Sequence, residues 1–196
     1  MKNSSADPTT CEWSSGDPVM LEYHDQEWGV PVHNDRKHFE FILLDGFQAG
    51  LSWKTILHKR NNFKKAFDQF DFRKIAEYGP EKINTLLMDA GIIRNKAKIN
   101  AVIRNAGCFL EIQKEFGSFD AYIWQFAGGK TRHNKWENPN EIPVTSKESD
   151  AMSKDLIKRG FKFAGSTICY SYMQAAGMVN DHLVHCSRYQ ELRKKL

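Results

Sequence analysis

Helical periodicity runs along most of this chain, and it limits the possible folds more than any other feature of the sequence. The longest periodic segment covers residues 95–115, where the apolar side chains recur at helical spacing and predict one buried stripe on a long helix. That stripe consists of Ile99, Val102, Ile103, Ala106 and Leu110. Alternating patterns typical of strands are scarce. The sequence therefore predicts an all-α fold.

Capping residues and prolines divide the rest of the chain into shorter helices. The expected starts are Asn34 or Asp35, Leu51, Asp71, Pro80, Ser118 and Ser149. Residues 130–147 are polar and contain two prolines, which predicts a surface loop rather than a linker between domains. No internal repeat or low-complexity tract is present in the sequence.

The length of 196 residues suits one domain or two small lobes that share a core. We expect residues 11–196 to form a single domain of two helical lobes with the chain ends close together, and residues 1–10 to form a flexible N-terminal extension. No apolar run approaches the roughly 20 residues needed to cross a bilayer. The polar N-terminus also lacks the apolar stretch of a secretory signal. We therefore expect a cytoplasmic protein with no membrane partner. We also expect it to be a monomer.

Residues 149–177 combine a short amphipathic helix, a hairpin bounded by Gly160 and Gly165, and a second, more buried helix. Glycines allow the sharp turn, and the free N–H groups at the start of the second helix can bind an anion such as a DNA phosphate. The basic residues Lys158, Arg159 and Lys162 lie beside this position, and the formal net charge of +4 permits a polyanionic partner without requiring one. An ordinary helical hairpin with glycine caps would give the same pattern.

The cysteines and histidines include a candidate metal site. Cys11 and His24 near the N-terminus, with His182 and Cys186 near the C-terminus, would form a Cys₂His₂ set suited to structural zinc. His182 and Cys186 are four residues apart, so on a helix they would share one face. Spacing alone does not select this set, because the chain has no C-x-x-C pair and other histidines are available. These are His33, His38, His58, His133 and His185.

The stretch LLDGFQAGLSW, residues 43–53, predicts the end of an apolar helix, a glycine-flanked turn and the start of another helix. It places one carboxylate, Asp45, within an apolar run. Aspartate beside glycine commonly caps a turn, whereas a buried carboxylate in a pocket indicates a functional site. Nearby aromatic residues fit either a core or a pocket, because large aromatic side chains usually fill interiors.

Four segments together resemble the helix-hairpin-helix DNA glycosylase superfamily and, within it, the bacterial 3-methyladenine DNA glycosylase I family. They are EYHDQEWGVP (22–31), GFQAGLSW (46–53), DAGIIRNKAKI (89–99) and GFKFAGSTICYSYMQAAGMVNDH (160–182), in this order. The resemblance runs from Cys11 to Cys186. It implies an enzyme that removes 3-methyladenine from double-stranded alkylated DNA by hydrolysing the N-glycosidic bond, which leaves an abasic site for base excision repair.

The resemblance also implies a base pocket in which Tyr23, Asp45 and Trp53 bind the flipped base and are catalytic, with Trp13 and Trp28 as additional walls. Aromatic faces favour the cationic alkylated base, and the carboxylate would accept hydrogen bonds from its amino edge. The family usually has glutamate at the position of Asp45, so this carboxylate would lie about 1.5 Å farther from the base. A bridging water or a small helix shift would restore the contact.

The DNA contacts follow from the same resemblance. Gln48, Gly50 and Leu51 match the superfamily's wedge, which fills the gap that the flipped nucleotide leaves. Leu51 could instead be the first buried residue of its helix. The expected phosphate contacts from the hairpin are Lys162, Gly165, Ser166 and Thr167.

The resemblance implies that structural zinc binds Cys11, His24, His182 and Cys186 and joins the two ends of the chain. Cys108 and Cys169 are expected in the core. Many superfamily members carry a catalytic aspartate shortly after the hairpin, but here Asn180 takes that place and Asp181 is displaced by one residue. No lysine stands at the nucleophile position, so we expect no strand-cleaving lyase activity. Two alternatives stay open: excision of another alkylated purine, and a zinc-stabilised module that binds damaged DNA without cleaving it.

Overall fold

A computed structural model describes residues 10–195 of the chain. Nine of the ten residues of the predicted N-terminal extension lie outside this range, and Thr10 is the first one described. The described helices are α1 Pro18–Gln26, α2 Asp35–Gln48, α3 Trp53–His58, α4 Arg60–Ala66, α5 Phe72–Ala76, α6 Pro80–Met88, α7 Lys96–Phe116, α8 Phe119–Ile123, α9 Lys147–Lys158, α10 Ser166–Ala175 and α11 Ser187–Lys195.

The remaining regular structure is short. Single 3₁₀ turns cover Glu12–Ser14, Asp68–Phe70, Trp124–Ala127 and Pro139–Glu141. Two strands, β1 Arg132–His133 and β2 Val179–Asn180, form a parallel pair in which Arg132 faces Val179 and His133 faces Asn180. The predicted all-α fold is confirmed.

Most helix starts lie where the sequence predicts them. Asn34 caps α2 by accepting the amide hydrogen of Lys37, while Asp71 and Ser118 cap α5 and α8. Pro80 is the first residue of α6. The predicted start at Ser149 is wrong by two residues, because Ser146 caps α9 and Ser149 completes its capping box.

Helix α2 lies at the centre of the fold. It packs against α7 and α8 from the middle of the chain and against α10 from the C-terminal part. Aromatic rings fill these contacts: the centroids of Phe39 and Phe109 are 5.4 Å apart, and Phe109 stacks on Phe119 at 4.0 Å. The buried apolar residues form one continuous cluster, so the helices from the middle of the chain and those from its C-terminal part share a core.

The segment after α1 packs against the C-terminal end of α10. The amide of Gly29 donates to the carbonyl oxygen of Gln174 at 3.0 Å, and the amide of Val32 donates to Ala176 at 3.1 Å. Gly177 has φ +68°, and a Cβ there would lie 2.3 Å from the carbonyl carbon of Val30. Only glycine fits this close approach, which fixes the N-terminal segment against the end of α10. Within the described residues, no helix has the length and hydropathy that a bilayer-spanning segment needs.

Candidate functional site

A cleft between α1, α2, α3 and α10 contains all five residues that the sequence assigned to the base pocket. Its opposite wall is the segment 139–144, which the sequence predicted only as a surface loop. The lining residues from the predicted set are Trp13, Tyr23, Trp28, Asp45 and Trp53, and those from the loop are Pro139, Ile142, Pro143 and Val144.

The aromatic rings of this cleft contact one another at angles. The centroids of Tyr23 and Trp53 are 5.2 Å apart with 54° between their planes, and those of Trp13 and Trp28 are 5.0 Å apart at 76°. Tyr23 and Trp28 are buried, whereas Trp13 is 38% exposed at the mouth. These rings therefore belong both to the core and to the cleft, and their electron-rich faces suit a planar cation.

Asp45 is the buried carboxylate of the cleft. It lies within α2, one turn before the helix ends at Gln48, so the interpretation of Asp45 as a turn cap is wrong. The side chain is 2% exposed, and its Oδ2 atom has no hydrogen-bond partner among residues 10–195. Burial raises the pKa of Asp45 well above its usual range. Trp53 Nε1 is also buried and unpaired within the described chain. A ligand with hydrogen-bond donors and a positive charge would satisfy this carboxylate and favour its ionised form.

Asp181, the acid displaced from the superfamily's catalytic position, is fully engaged in hydrogen bonds. Its Oδ1 atom accepts from Asn134 Nδ2 at 2.6 Å and Trp136 Nε1 at 2.8 Å. Its Oδ2 atom accepts from the Tyr170 hydroxyl at 2.8 Å and from Gln174 Nε2 at 2.9 Å. Asp181 therefore ties the segment that leads into the cleft-lining loop to α10. The sequence carries no local signal for this contact, because the partners are far apart in the chain.

The predicted wedge forms the turn between α2 and α3. Gly50 has φ +76°, and the Leu51 amide donates to the carbonyl oxygen of Gln48 at 2.6 Å. Leu51 is 41% exposed, and Ser52 caps a helix that begins at Trp53. The alternative in which Leu51 is the first buried residue of its helix is therefore wrong.

Lys98, which the sequence analysis did not single out, contacts the base of this wedge. Its ammonium donates to the carbonyl oxygens of Phe47 at 2.8 Å and Ala49 at 2.5 Å. The residue is 7% exposed. Its position in the DAGIIRNKAKI segment was the one available signal, and that segment alone does not distinguish a buried lysine from a solvated one.

The hairpin before α10 leaves the N-terminus of that helix without a side-chain cap, since its N-cap residue is Gly165. Lys162 is exposed, and its backbone N–H and carbonyl both bond to the side chain of Asn105 at 2.8 and 3.0 Å. Thr167 is exposed, whereas the Ser166 hydroxyl donates to Asp150 Oδ1 at 2.5 Å. The backbone amides of the first turn are the groups available to an anion.

Arg159, the second basic residue beside the hairpin, is held in ion pairs. Its guanidinium pairs with Glu115 at 2.6 Å and Asp155 at 2.7 Å. It also lies over the ring of Tyr122 at 4.9 Å. These contacts hold α9 against α7 and α8, and they leave Lys158 and Lys162 as the basic residues of the hairpin.

Cys11, His24, His182 and Cys186 converge at the meeting point of the chain ends, and their candidate ligand atoms all lie within 4.8 Å of one another. The His24 Nε2 and His182 Nδ1 atoms are 3.1 Å apart, and Cys186 Sγ is 3.5 Å from each. Cys11 Sγ is 3.8 Å from His182 Nδ1. Zn–N and Zn–S bonds of about 2.0 and 2.3 Å in a tetrahedron give ligand separations of roughly 3.3–3.8 Å. The donor set therefore fits a tetrahedral metal ion with no position left for water.

The outer nitrogens of both histidines are held by hydrogen bonds. His24 Nδ1 contacts Asp25 Oδ1 at 2.7 Å, and His182 Nε2 contacts the carbonyl oxygen of Trp28 at 2.9 Å. Such partners orient the ligand nitrogens of a metal site. Hydrogen bonding between the two sulfurs lowers the pKa of Cys186 and raises that of Cys11, so one thiolate is already favoured in the cluster.

His182 and Cys186 do not lie on a helix, so the shared helix face considered for this pair does not apply. Residues 181–186 form an irregular turn, and α11 begins only at Ser187. The Val184 amide donates to the carbonyl oxygen of Trp136 at 2.9 Å, which removes it from a helical hydrogen-bond pattern. The cluster also borders the cleft, because the Trp13 and His24 rings are 5.4 Å apart and Trp28 and His182 are 4.7 Å apart. The Cys/His cluster and the aromatic wall therefore pack against each other.

Both the sequence and the fold match known proteins over nearly the whole chain. A family model described as methyladenine glycosylase matches residues 13–189. The chain is 48% identical over 179 residues to DNA-3-methyladenine glycosylase 1 of Escherichia coli (strain K12), which covers 91% of this chain and 96% of that protein. A crystal structure of 3-methyladenine DNA glycosylase I superposes with a TM-score of 0.89 at 47% identity, over 91% of this chain and 98% of that one.

A more distant solved structure agrees equally well in fold. It is 3-methyladenine DNA glycosylase I from Staphylococcus aureus, described for the structural basis of 3-methyladenine recognition. Its TM-score is 0.89 at 32% sequence identity, over 93% of this chain and 97% of that one. The predicted pocket and wedge residues lie within residues 13–189, as do three of the four residues of the Cys/His cluster, whereas Cys11 precedes this range.

Proposed function

The chain belongs to the methyladenine glycosylase family, and from that premise we propose that it is a monofunctional DNA glycosylase that excises 3-methyladenine from alkylated double-stranded DNA. The observation that carries the proposal is the unpaired, buried carboxylate oxygen of Asp45 in an aromatic cleft. A flipped base brings a flat ring, which can stack on the aromatic side chains of the cleft. It also brings hydrogen-bond donors, which can pair with the free carboxylate oxygen of Asp45.

The reaction needs little acid–base assistance from the protein. Alkylation at N3 makes the base cationic within DNA, so the N-glycosidic bond breaks with its electron pair moving to the base, which leaves as neutral 3-methyladenine. Water adds to C1′ of the sugar and loses a proton, which leaves an abasic site. Tyr23 and Trp53 stack on the base, and Asp45 accepts hydrogen bonds from its amino edge and stabilises the positive charge. Trp13 and Trp28 complete the wall, and no lyase step follows.

The DNA contacts come from two turns. The wedge inserts where the base has left the stack, and it consists of Gln48, Gly50 and Leu51. The exposure of the Leu51 side chain supports this role. The hairpin binds phosphate through the first-turn amides of α10, with Lys162, Gly165, Ser166 and Thr167 around them. The enzyme acts as a monomer, and its four free cysteines suit the reducing cytoplasm.

Zinc is the metal that the Cys₂His₂ cluster would hold, and its role is structural. Cys11, His24, His182 and Cys186 would bind it, and the ion would add binding free energy to the folded state by joining the two chain ends. Through Trp13 and Trp28 the same site supports the wall of the cleft.

A second specificity has one observation in its favour. Asp45 is one methylene shorter than the family's usual glutamate, and it borders both the cleft and a small cavity behind it. A different alkylated purine could reach deeper into such a site.

The test is to incubate the protein with methylated duplex DNA and identify the released bases by chromatography. Free 3-methyladenine supports the proposal, and another purine supports the alternative specificity. Binding to damaged DNA without any release would contradict both and indicate a non-catalytic damage-binding module. Asp45→Asn serves as the matched variant, because it keeps the side-chain size and removes the charge.

A further inference from the structure

We propose that Lys98 is a positioning residue that fixes the DNA wedge of this enzyme from beneath. The inference rests on the proposed function, since it assigns a role in base extrusion. It begins from the two hydrogen bonds that the Lys98 ammonium donates to the carbonyl oxygens of Phe47 and Ala49. Those carbonyls flank the end of α2, immediately before Gly50 and Leu51.

The end of α2 needs such a partner. The last carbonyl groups of a helix receive no hydrogen bond from an amide of the same helix, and they lie at the negative end of the helix dipole. The Ala49 cap has left the helical conformation, with φ −45° and ψ 115°. Lys98 covers the carbonyls of Phe47 and Ala49, and the Leu51 amide covers that of Gln48 at 2.6 Å. Three consecutive carbonyls are thereby held, so the wedge leaves the helix in one direction.

The position of Lys98 is unfavourable for its own helix, which argues against a role in stabilising α7. It lies in the first turn of α7, where Asn95 accepts its amide hydrogen and where the helix dipole disfavours a positive charge. Its ammonium is buried against neutral carbonyl oxygens, and burial lowers the pKa of the lysine. We therefore attribute the burial of Lys98 in the first turn of α7 to its hydrogen bonds with the carbonyl oxygens that precede the wedge.

The same face of α7 also holds the hairpin. Asn105 lies seven residues after Lys98, two helical turns or about 10.5 Å along the axis. Its side chain bonds both the amide and the carbonyl of Lys162. The ring of Phe163 in the hairpin lies 6.0 Å from the Lys98 ammonium. One rigid helix therefore sets the distance between the turn that enters the base stack and the turn that binds phosphate.

Lys98→Met is the main test, with Lys96→Met as the matched control, since Lys96 is exposed two residues earlier on the same helix. We expect Lys98→Met to lower the single-turnover rate of 3-methyladenine release from duplex DNA by roughly 10- to 100-fold, because a small misplacement of a positioning group has this effect. Affinity for free 3-methyladenine, measured by tryptophan fluorescence, should stay within about twofold, since neither Lys98 nor Gly50 and Leu51 line the cleft. Lys96→Met should change neither.

Hydrogen exchange at the Leu51 amide supplies a readout that does not depend on catalysis. In Lys98→Met this amide should exchange faster than in the wild type, because its hydrogen bond to Gln48 loses its support. If Lys98→Met fails to fold, Lys98→Gln retains an amide donor and should show the same changes to a smaller extent.

Two results would overturn the proposal. One is excision and Leu51 exchange in Lys98→Met that equal those of the wild type. The other is a Lys98→Met variant whose Leu51 amide exchanges at the wild-type rate but which binds intact and abasic duplexes alike more weakly than the wild type does. If the slope of log K against log salt concentration also fell by about 1, Lys98 would be a phosphate contact instead. A wild-type protein that releases no 3-methyladenine would refute the proposed function, while Leu51 exchange and binding to a duplex with an abasic analogue would still test the role of Lys98.

Discussion

Replacing Asp45 with asparagine should make the protein's stability less dependent on pH. The carboxyl is buried without a partner for Oδ2, and burial raises its pKa well above the ordinary value near 3.8. A raised pKa in the folded state means that this group's contribution to stability is complete below the unfolded-state pKa and is lost as the pH rises toward the folded-state pKa. Asp45→Asn has no proton to lose there.

The expected magnitude follows from the binding of one proton. Over the pH window between the two pKa values, the wild type should lose about 1.4 kcal/mol of unfolding free energy per pH unit relative to Asp45→Asn. For a chain of this size, that equals roughly 3–6 °C in melting temperature per pH unit. A buried asparagine amide adds a cost of about 1–3 kcal/mol that does not vary with pH, so the slope and not the offset is diagnostic.

The assay is thermal unfolding of both proteins from pH 4.5 upward at fixed ionic strength. Protonation of the metal ligands at low pH affects both proteins and cancels in the difference. Glu22→Gln, an exposed change beside Tyr23, is the control and should follow the wild type. A difference in melting temperature that stays constant with pH would refute the argument, because Asp45 would then be ionised or paired in the empty cleft.

Three further changes test the wedge, the carboxylate and the metal cluster. Gly50→Ala should weaken excision while leaving the affinity for the free base unchanged. The backbone at Gly50 has φ +76°, which costs any other residue about 1–2 kcal/mol, although an added Cβ would meet no atom of the described residues within 4 Å. A single-turnover excision rate equal to that of the wild type would contradict this. Asp45→Glu should keep or raise the excision rate, because it extends the carboxylate by about 1.5 Å, and a collapse would mean that the cleft is built around aspartate. Removing the metal with a chelator should lower the melting temperature by about 8–16 °C, the equivalent of roughly 4 kcal/mol of ligand stabilisation; elemental analysis that finds no zinc after mild purification would contradict the metal assignment.

The sequence predicts the helices of this fold well because their signals are local. Asn34, Asp71 and Ser118 each accept an amide hydrogen two or three residues later in the chain, so short segments are sufficient to locate these caps. The apolar stripe of residues 95–115 likewise predicts α7 from a local pattern. The helix through Gly46 is a harder case: glycine there suggested a turn, but packing of α2 against α7, α8 and α10 outweighs a propensity cost of about 1 kcal/mol.

The parts of the site that the sequence did not predict depend on contacts between distant residues. Lys98 is 49 positions from Ala49, and Asp181 is 47 from Asn134. The irregular turn of residues 181–186 likewise follows from its contacts with Trp28 and Trp136, which no local pattern records. Four ligands from opposite ends of the chain could be named only through the family resemblance, since the spacing alone left five other histidines available.

The most direct test of the central claim is an NMR titration that follows the indole N–H signals of the five tryptophans. Trp13, Trp28 and Trp53 line the cleft. Trp124 donates its indole hydrogen to Val32 at 2.8 Å outside the cleft, and it serves as an internal control. On addition of free 3-methyladenine, the Trp53 signal should shift most, because its Nε1 atom is buried without a partner in the described structure. Trp13 and Trp28 should follow, Trp124 should not move, and Asp45→Asn should weaken the response. Shifts confined to Trp124, or no shift at Trp53 at saturating base, would contradict the assignment of this cleft as the site where the methylated base is bound and released.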